Sequence, residues 1–257
     1  MKTVSYYAFI LPFLFAGITA NSQEITEPDT GTVTDIDGNV YNTVVIGGQE
    51  WMAENLRTSR YANGDSIPFK HKDSDWTIDM NGAYIVYPHE KIYNIKSKAK
   101  MIDAYGKLYN WHAVNDKRGL CPDGWRVPTD KEWSKLTDTI ISTYDNITAK
   151  NIGNSLKSCR QPESPLGGVC STFNHPRWNS HDKHYGTDDF GFSALPAGVF
   201  KIELTFGSLG HDGYWWTATR QSPSYAWFRV IYYDYGYVDR NYIDIRTAFS
   251  VRCIKKK

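Results

Sequence analysis

Hydrophobic and polar positions along the chain follow two different periods. Between Thr32 and Leu56, β-branched residues alternate with polar ones on both sides of Asp37-Gly38, a dipeptide typical of a tight β-hairpin turn. Further along, Thr129 stands three residues before Glu132, which is the pattern of a helix capping box. The apolar residues that follow share one helical face: Trp133, Leu136, Ile140 and Ile141. The pattern therefore predicts a hairpin and then an amphipathic helix.

The second half of the chain is predicted to be mainly β-structure. A second short helix is expected near Ile147–Lys157, followed by a polar segment, Ser171–Asp189. Short aromatic runs separated by turn residues predict four strands: Phe192–Leu195, Tyr214–Ala218, Ala226–Tyr233 and Phe249–Ile254. The third run is apolar on both faces, as in a strand covered on both sides. We expect a single α+β domain over residues 32–257.

The N-terminal segment 1–22 is predicted to be a secretory signal peptide. Lys2 precedes an apolar run, Val4–Ile18, and small residues at Ala20 and Ser22 predict cleavage before Gln23. A transmembrane anchor is the alternative, but the run is short and Pro12 interrupts it. No cysteine lies near the cleavage site, so a lipoprotein is not expected. Residues 23–31 form a polar linker.

Composition and charge narrow the class of protein. Aromatic residues make up 15% of the chain, which excludes a disordered protein. The formal net charge is only +1, so nothing indicates a nucleic-acid partner. The sequence predicts an exported protein that is secreted, periplasmic or on the outer surface, without a transmembrane anchor after signal cleavage.

An exported protein with four cysteines is expected to form two disulfide bonds. Four cysteines allow three pairings. Cys159 and Cys170 bracket a stretch rich in proline and glycine, in which the chain can double back. We therefore predict a Cys159–Cys170 bond, which leaves Cys121–Cys253 as the second. A zinc site is disfavoured because the sequence has no C-x-x-C pair.

A set of motifs in fixed order resembles one known family. The motifs are DIDGNVYNTVVIGGQEWMAENLR, NGDSIP, YGKLYNWHAV, CPDGWRVPTDKEWSKL, FGFSALPAG, GYWWTAT and FSVRCIK. Together they resemble the Fibrobacter succinogenes major paralogous domain family over about residues 32–254. Members of that family are mostly exported bacterial proteins, often lipoproteins, of largely uncharacterised function. This chain departs from them in lacking a lipobox cysteine.

A second, more distant resemblance bears on the fold. The segment Arg126–Trp133 is similar to the helix start of formylglycine-generating and sulfatase-modifying-factor enzymes, and the closing F-S-V-R-C to their last strand. This likeness implies a C-type-lectin-like domain whose terminal strands pair. The enzymes' copper-binding cysteines do not carry over, because every cysteine here has a predicted structural role.

The candidate ligand-binding residues are aromatic and lie in the C-terminal half. Tyrosine combines an apolar ring with a polar hydroxyl, which suits it to stacking on a sugar or peptide. Tyr233, Tyr235 and Tyr237 flank a predicted turn at Gly236. The remaining candidates are Trp216, Trp178, Arg220 and Asp188. The preferred hypothesis is a non-enzymatic binding module for a glycan or another extracellular or cell-surface polymer.

The alternative hypothesis is a metal-dependent enzyme that uses the loop His175–Asp189. Its weak candidate ligands are His181 and His184, which would need a nearby acid to converge on a metal. No nucleophile elbow, H-E-x-x-H or P-loop occurs in the sequence, so neither a catalytic residue nor a cofactor is expected.

Overall fold

The computed structural model describes residues 29–71, 76, 78 and 80–257. The predicted signal peptide and its cleavage site lie outside these residues, as does most of the predicted linker. The first strand begins at Thr30, so the last two residues of the predicted linker belong to the folded domain. None of the described helices is long and apolar enough to span a lipid bilayer.

The described residues form strands and short helices around three antiparallel sheets. The strands are β1 (Thr30–Thr34), β2 (Val40–Ile46), β3 (Gln49–Met52), β4 (Tyr84–Ile85), β5 (Leu108–Asn110), β6 (Trp125–Arg126), β7 (Val199–Phe200), β8 (Phe206–Gly207), β9 (Asp212–Ser222), β10 (Tyr225–Tyr232), β11 (Val238–Asp244), β12 (Ala248–Phe249) and β13 (Ile254–Lys255). The helices are α1 (Lys98–Tyr105), α2 (Trp111–Val114), α3 (Asp130–Thr143) and α4 (Ile152–Leu156). The mixture confirms the α+β class.

The N-terminal sheet joins both ends of the domain in the order β1-β2-β3-β13-β6. The predicted hairpin at Asp37-Gly38 is confirmed, since β1 and β2 pair antiparallel across it. The Asp35 carboxylate fixes this turn by accepting hydrogen bonds from the backbone N–H groups of Asp37 and Asn39 at 2.9 Å each. The last strand, β13, lies between β3 and β6.

The second sheet has three strands in the order β11-β10-β9, and the third has the order β4-β5-β12-β7-β8. Strand β10 is covered on both faces, as its sequence predicted. Phe228 and Val230 belong to one hydrophobic cluster with Trp216, whereas Ile231 belongs to another with Trp215. The three-stranded sheet therefore separates two parts of the core.

Helix α3 begins as predicted. The Thr129 side chain accepts a hydrogen bond from the Glu132 N–H, and the Glu132 carboxylate accepts one from the Thr129 N–H, which completes the capping box. Trp133, Leu136 and Ile140 are buried against the sheets. Trp133 and Trp51 meet edge to face with their ring centroids 5.0 Å apart, so the helix and the N-terminal sheet share a core.

Both predicted disulfide bonds are present, Cys121–Cys253 and Cys159–Cys170. The first connects residues 132 apart and the second residues 11 apart. Two predicted strands were wrong in detail. Phe192–Leu195 forms only an isolated bridge between Ala194 and Lys157, and the strand predicted over Phe249–Ile254 is two short strands, β12 and β13.

Candidate ligand-binding surface

Three tyrosine side chains gather where β10 connects to β11. The ring centroids of Tyr235 and Tyr237 are 5.2 Å apart, and Tyr232 lies 5.7 Å from Tyr235 and 5.9 Å from Tyr237. We call Tyr232, Tyr235 and Tyr237 the tyrosine cluster. Tyr235 is 48% exposed, and the other two are partly exposed. The cluster therefore presents aromatic faces and phenol groups to solvent at the end of a hairpin.

Strand alternation decides which tyrosines join this cluster. Tyr232 is the last residue of β10 and Tyr233 follows it, and their rings pack against the two hydrophobic clusters on opposite faces of the sheet. Tyr232 lies on the face of Asp239, to which its hydroxyl donates a hydrogen bond of 3.3 Å. Burial and the Asp239 carboxylate raise the pKa of Tyr232 above its usual value, so its phenol remains a hydrogen-bond donor at neutral pH.

The backbone of the connecting segment is fixed by contacts with α4 and its C-terminal neighbour Lys157. The Lys157 Nζ donates hydrogen bonds to the carbonyl oxygens of His184, at 2.6 Å, and of Tyr235, at 2.8 Å. The N–H of Gly153 donates to the carbonyl oxygen of Gly236 at 2.6 Å. Because these bonds use backbone atoms of the segment, the tyrosine rings stay free to face solvent.

Lys157 is a lysine with no exposed surface at all. Burial lowers the pKa of its ammonium to about 7, and the carboxylate of Asp234 opposes that shift. The Nζ donates hydrogen bonds to carbonyl oxygens and lies 5.6 Å from the ring centroid of Trp178. These contacts replace the water that would hydrate the charge. Buried Lys157 thus links the end of α4 to the loop around His184 and to the segment between β10 and β11.

Glycine is required where the connecting segment meets α4. A Cβ at Gly153 would lie 2.6 Å from the carbonyl oxygen of Tyr237, and a Cβ at Gly236 would lie 2.4 Å from that of Lys150. Both distances are shorter than real Cβ atoms show. Only glycine allows the two backbones to approach this closely.

Carboxylates border the tyrosine cluster. Asp239 accepts from Tyr232, Asp234 precedes Tyr235 in the connecting segment, and Asp212 pairs with Tyr232 across the sheet. The Tyr214 hydroxyl donates to Asp212 at 3.0 Å. Phenol hydroxyls donate and accept hydrogen bonds, whereas carboxylates only accept them. The surface therefore offers stacking faces together with acceptors for hydroxyl donors.

Tyr233 is separated from the two tyrosines with which the sequence grouped it. Its ring meets that of His211 edge to face at 4.9 Å and lies 6.3 Å from that of His181. It packs against the cluster of core residues that contains Ile231. Tyr233 therefore lies apart from Tyr235 and Tyr237, and Tyr232 completes the cluster in its place.

Neither predicted tryptophan is available to a ligand. Trp178 is 1% exposed and donates its indole N–H to the carbonyl oxygen of Ala194 at 2.9 Å. Trp216 is fully buried and donates to the carbonyl oxygen of Tyr109 at 2.8 Å. Both indole groups are satisfied by backbone, so these residues stabilise the core and their assignment to a binding surface was wrong.

Arg220 lies away from the tyrosine cluster, and Asp188 is engaged in a turn. Arg220 lies eight residues along β9 from Asp212, about 26 Å at strand spacing, and its guanidinium covers the ring of Trp111 at 4.8 Å. Asp188 accepts hydrogen bonds from the N–H and hydroxyl of Ser193, and burial raises its pKa. Asp188 therefore fixes a turn, and Arg220 does not line the predicted rim.

The histidines of the loop His175–Asp189 do not converge as metal binding requires. The rings of His181 and His184 are 4.9 Å apart, but the Nδ1 of His181 accepts the backbone N–H groups of Lys183 and His184. Within the described part of the chain, no three His, Cys, Asp or Glu side chains group closely enough to hold a metal ion.

His175 serves a different purpose from the other two histidines. Its Nδ1 lies 2.5 Å from the hydroxyl of Tyr105. Burial and the nearby Arg177 lower the pKa of His175 to about 4, so its ring is neutral at physiological pH. It connects the loop to α1 and contributes nothing to a site with His181.

A second aromatic patch lies at the opposite end of the three-stranded sheet. Tyr225 and Tyr242 are 42% and 47% exposed, and the Tyr242 ring lies 5.2 Å from that of Trp227. The guanidinium of Arg240 covers Trp227 at 3.5 Å and is paired with Asp130 at 2.9 Å. Tyr242 is not among the residues predicted from sequence, although its position opposite Trp227 follows once strand register is known.

The domain also contains a cleft of about 700 Å³. Its lining includes Phe69, Tyr87 and Phe206, together with Glu90 and Lys98. The size suits a small molecule. The cleft lies among loops that carry none of the residues predicted from sequence.

Comparison with known proteins places the chain in a family. The profile of the Fibrobacter succinogenes major domain matches residues 44–255, which is most of the chain. The chain belongs to the Fibrobacter succinogenes major domain family. It is also similar to the UPF0182 protein of Paenarthrobacter aurescens (strain TC1), with 26% identity over 134 residues that make up 50% of this chain and 12% of that protein. No solved structure matches the chain.

The Fibrobacter succinogenes major domain of this chain contains the features described above. The match includes both disulfide bonds, Lys157 and the tyrosine cluster. It begins within β2, so β1 precedes the matched residues. Because β1 pairs with β2 along its whole length, it completes the same sheet.

Proposed function

We propose that this protein is an exported, non-enzymatic module that binds a glycan through the tyrosine cluster. The observation that carries the proposal is the pair Tyr235 and Tyr237, side by side at 5.2 Å on a backbone segment fixed to α4. Tyr235 is nearly half exposed although its backbone is anchored. Core packing alone does not require such a side chain.

The chemistry of the surface fits a sugar better than a purely apolar ligand. A pyranose ring has an apolar face of C–H groups and a rim of hydroxyls. Aromatic rings cover the first, and side chains with hydrogen-bonding groups engage the second. Here tyrosine rings stand beside Asp234 and Asp239, whose carboxylates accept hydrogen bonds from hydroxyl groups.

Pre-organisation supports the same proposal. Ordering a flexible loop on binding costs free energy, and a fixed loop avoids that cost. The carbonyl oxygens of Tyr235 and Gly236 are already held by Lys157 and Gly153. Tyrosine also has few rotatable bonds, so its immobilisation costs little entropy.

Export and a C-type-lectin-like fold are parts of the same proposal. Two disulfide bonds favour an oxidising compartment, in agreement with a signal peptide at 1–22 and cleavage before Gln23. Strand β13 pairs with β3, which brings the two ends of the domain together as the lectin-like fold requires. We propose neither a nucleic-acid partner nor a cofactor.

Affinity electrophoresis tests the binding function. The purified protein is run in native gels that contain soluble neutral or acidic polysaccharides, and its mobility is compared with that in a plain gel. We expect retardation by at least one polysaccharide and its loss in the double variant Tyr235→Ala/Tyr237→Ala. The matched control is Tyr225→Ala/Tyr242→Ala, which removes two exposed tyrosines elsewhere. Unchanged mobility in every gel would contradict the proposal.

A further inference from the structure

Several large apolar side chains project into solvent from two loops on one side of the domain. Val169 is 86% exposed, Tyr93 67%, Phe173 62% and Leu166 49%. We call these four residues the apolar tips. Water-exposed side chains of this size in one region are typical of an interaction surface.

Leu166 and Val169 lie in a loop that is held in shape, and Phe173 follows that loop. The bond between Cys159 and Cys170 closes the loop, and a 3₁₀ turn at Gly168–Cys170 contains Val169. The N–H of Gln161 donates to the carbonyl oxygen of Cys170 at 3.0 Å. The disulfide bond and this hydrogen bond therefore hold Val169 and Leu166 in their exposed positions.

The fourth tip lies on a neighbouring loop that is bonded to the first. The Asn94 side chain donates to the carbonyl oxygen of His175 at 3.2 Å and accepts from its N–H at 2.7 Å. Tyr93 precedes Asn94, and Phe173 lies two residues before His175. Since two residues span only about 7 Å, Tyr93 and Phe173 lie on the same side of the molecule.

Cationic side chains lie beside two of the tips, Phe173 and Tyr93. The guanidinium of Arg177 donates to the carbonyl oxygen of Phe173 at 3.1 Å, and that of Arg160 donates to the next carbonyl, of Asn174, at 3.2 Å. Lys91 and Lys96 flank Tyr93 and are exposed. Helix α1 follows with the exposed lysine Lys100.

Acidic groups near the tips are fewer. On the two loops the carboxylates beside the tips are Glu90 and Glu163. Asp103 on α1 already faces Lys100, with their charged atoms 3.5 Å apart. The described part of this face therefore carries an excess of positive charge, although the whole chain has a formal net charge of only +1.

We propose that this face docks on an anionic lipid bilayer, with the apolar tips at the acyl boundary and the cations on the lipid phosphates. Exposed apolar side chains bordered by lysine and arginine bind bilayers through these two contributions together. Charge complementarity favours a lipid surface over a second copy of this nearly neutral chain. The tyrosine cluster belongs to other segments, so this inference is independent of glycan binding.

Co-sedimentation with vesicles tests the proposal. The full purified protein is mixed with vesicles of phosphatidylcholine alone or of phosphatidylcholine with phosphatidylglycerol, at low and at high salt. We expect binding to the anionic vesicles and its decrease in high salt, because salt screens the cationic contribution. Equal binding to both compositions, or none to either, would overturn the proposal.

Two variants separate the apolar contribution to vesicle binding from the electrostatic one. Val169→Ser/Phe173→Ser removes apolar area, and Lys91→Gln/Lys96→Gln removes charge. Each is expected to weaken partitioning into anionic vesicles about tenfold or more. The control Val40→Ser changes a 53% exposed valine on β2 and should bind like the wild type. Circular dichroism checks that each variant is folded, and wild-type binding by both loop variants would refute the assignment of this face.

Discussion

The Nζ of Lys157 lies 2.8 Å from the carbonyl oxygen of Tyr235, so a buried ammonium anchors the residue with the most exposed ring of the tyrosine cluster. The same ammonium holds the carbonyl oxygen of His184. One side chain therefore connects the proposed binding surface to α4 and to the histidine loop. Substitution of Lys157 should therefore loosen the proposed binding surface more than it destabilises the rest of the fold.

Lys157→Met should loosen the segment 233–237. The substitution keeps an apolar stem of similar length but leaves the carbonyl oxygens of Tyr235 and His184 without their donor. A lost buried hydrogen bond of this kind costs about 1–3 kcal/mol. We expect amide hydrogen exchange in 233–237 to accelerate about tenfold or more, measured by mass spectrometry of peptides.

The matched control for this experiment is Lys135→Met, which changes an exposed lysine on α3. It should leave exchange in 233–237 as in the wild type. Exchange of the β1–β2 hairpin reports any general destabilisation. If Lys157→Met accelerates exchange in the hairpin and in 233–237 by the same factor, the anchoring role is contradicted.

Gly153→Ala should destabilise the protein although alanine normally favours a helix. In an ordinary helix interior the exchange stabilises by about 0.5–1 kcal/mol. Here the new Cβ would lie 2.6 Å from the carbonyl oxygen of Tyr237. We expect a loss of about 1–3 kcal/mol in the free energy of unfolding, from urea titration. Gly207→Ala, whose Cβ has neighbours no closer than 3.7 Å, should be nearly neutral.

Glu132 should make the free energy of unfolding depend on pH in the acidic range. Burial raises the pKa of Glu132, but hydrogen bonds from Arg126 and Thr129 lower it more, to about 2. A carboxylate whose pKa is lower in the folded than in the unfolded state stabilises the fold at pH values above its unfolded pKa. This stabilisation is lost as the pH falls through the folded pKa. The contribution is about 2–3 kcal/mol near neutral pH.

The variant Glu132→Gln isolates this effect. The difference in the free energy of unfolding between wild type and variant should be largest above about pH 5 and shrink toward about pH 2. Glu90→Gln changes an exposed glutamate and serves as control. A difference that stays constant over this range would contradict the role of the ionised carboxylate.

The two disulfide bonds should differ in their contribution to stability. Chain-entropy arguments give about 5 kcal/mol for closing 132 residues and about 3 kcal/mol for closing 11. The double variant Cys121→Ser/Cys253→Ser should therefore unfold at lower urea than Cys159→Ser/Cys170→Ser. The reverse order would show that the loop-length argument fails in this protein.

The sequence predicted those elements whose structure depends on residues close together in the chain. The capping box at Thr129 and the turn at Asp37-Gly38 depend on residues within a few positions of each other, and both are confirmed. The pairing of Cys159 with Cys170 likewise followed from the turn residues between them.

The side to which a residue points could not be predicted where both faces of a strand are apolar. Tyr232 and Tyr233 are chemically identical neighbours, and only the register against β9 and β11 places the first in the tyrosine cluster. Trp215 and Trp216 are both buried because the sheet they occupy is covered on both faces. Lys157 gave no signal, since a lysine is normally exposed.

The proposed function depends most directly on Tyr235 and Tyr237, and a glycan array probes it in one measurement. The wild type, Tyr235→Ala/Tyr237→Ala and Tyr225→Ala/Tyr242→Ala are applied at equal concentration. The account predicts that wild type and the second double variant bind the same glycans, and that the first loses at least tenfold in signal. A blank array for the wild type, or undiminished binding by Tyr235→Ala/Tyr237→Ala, would contradict it.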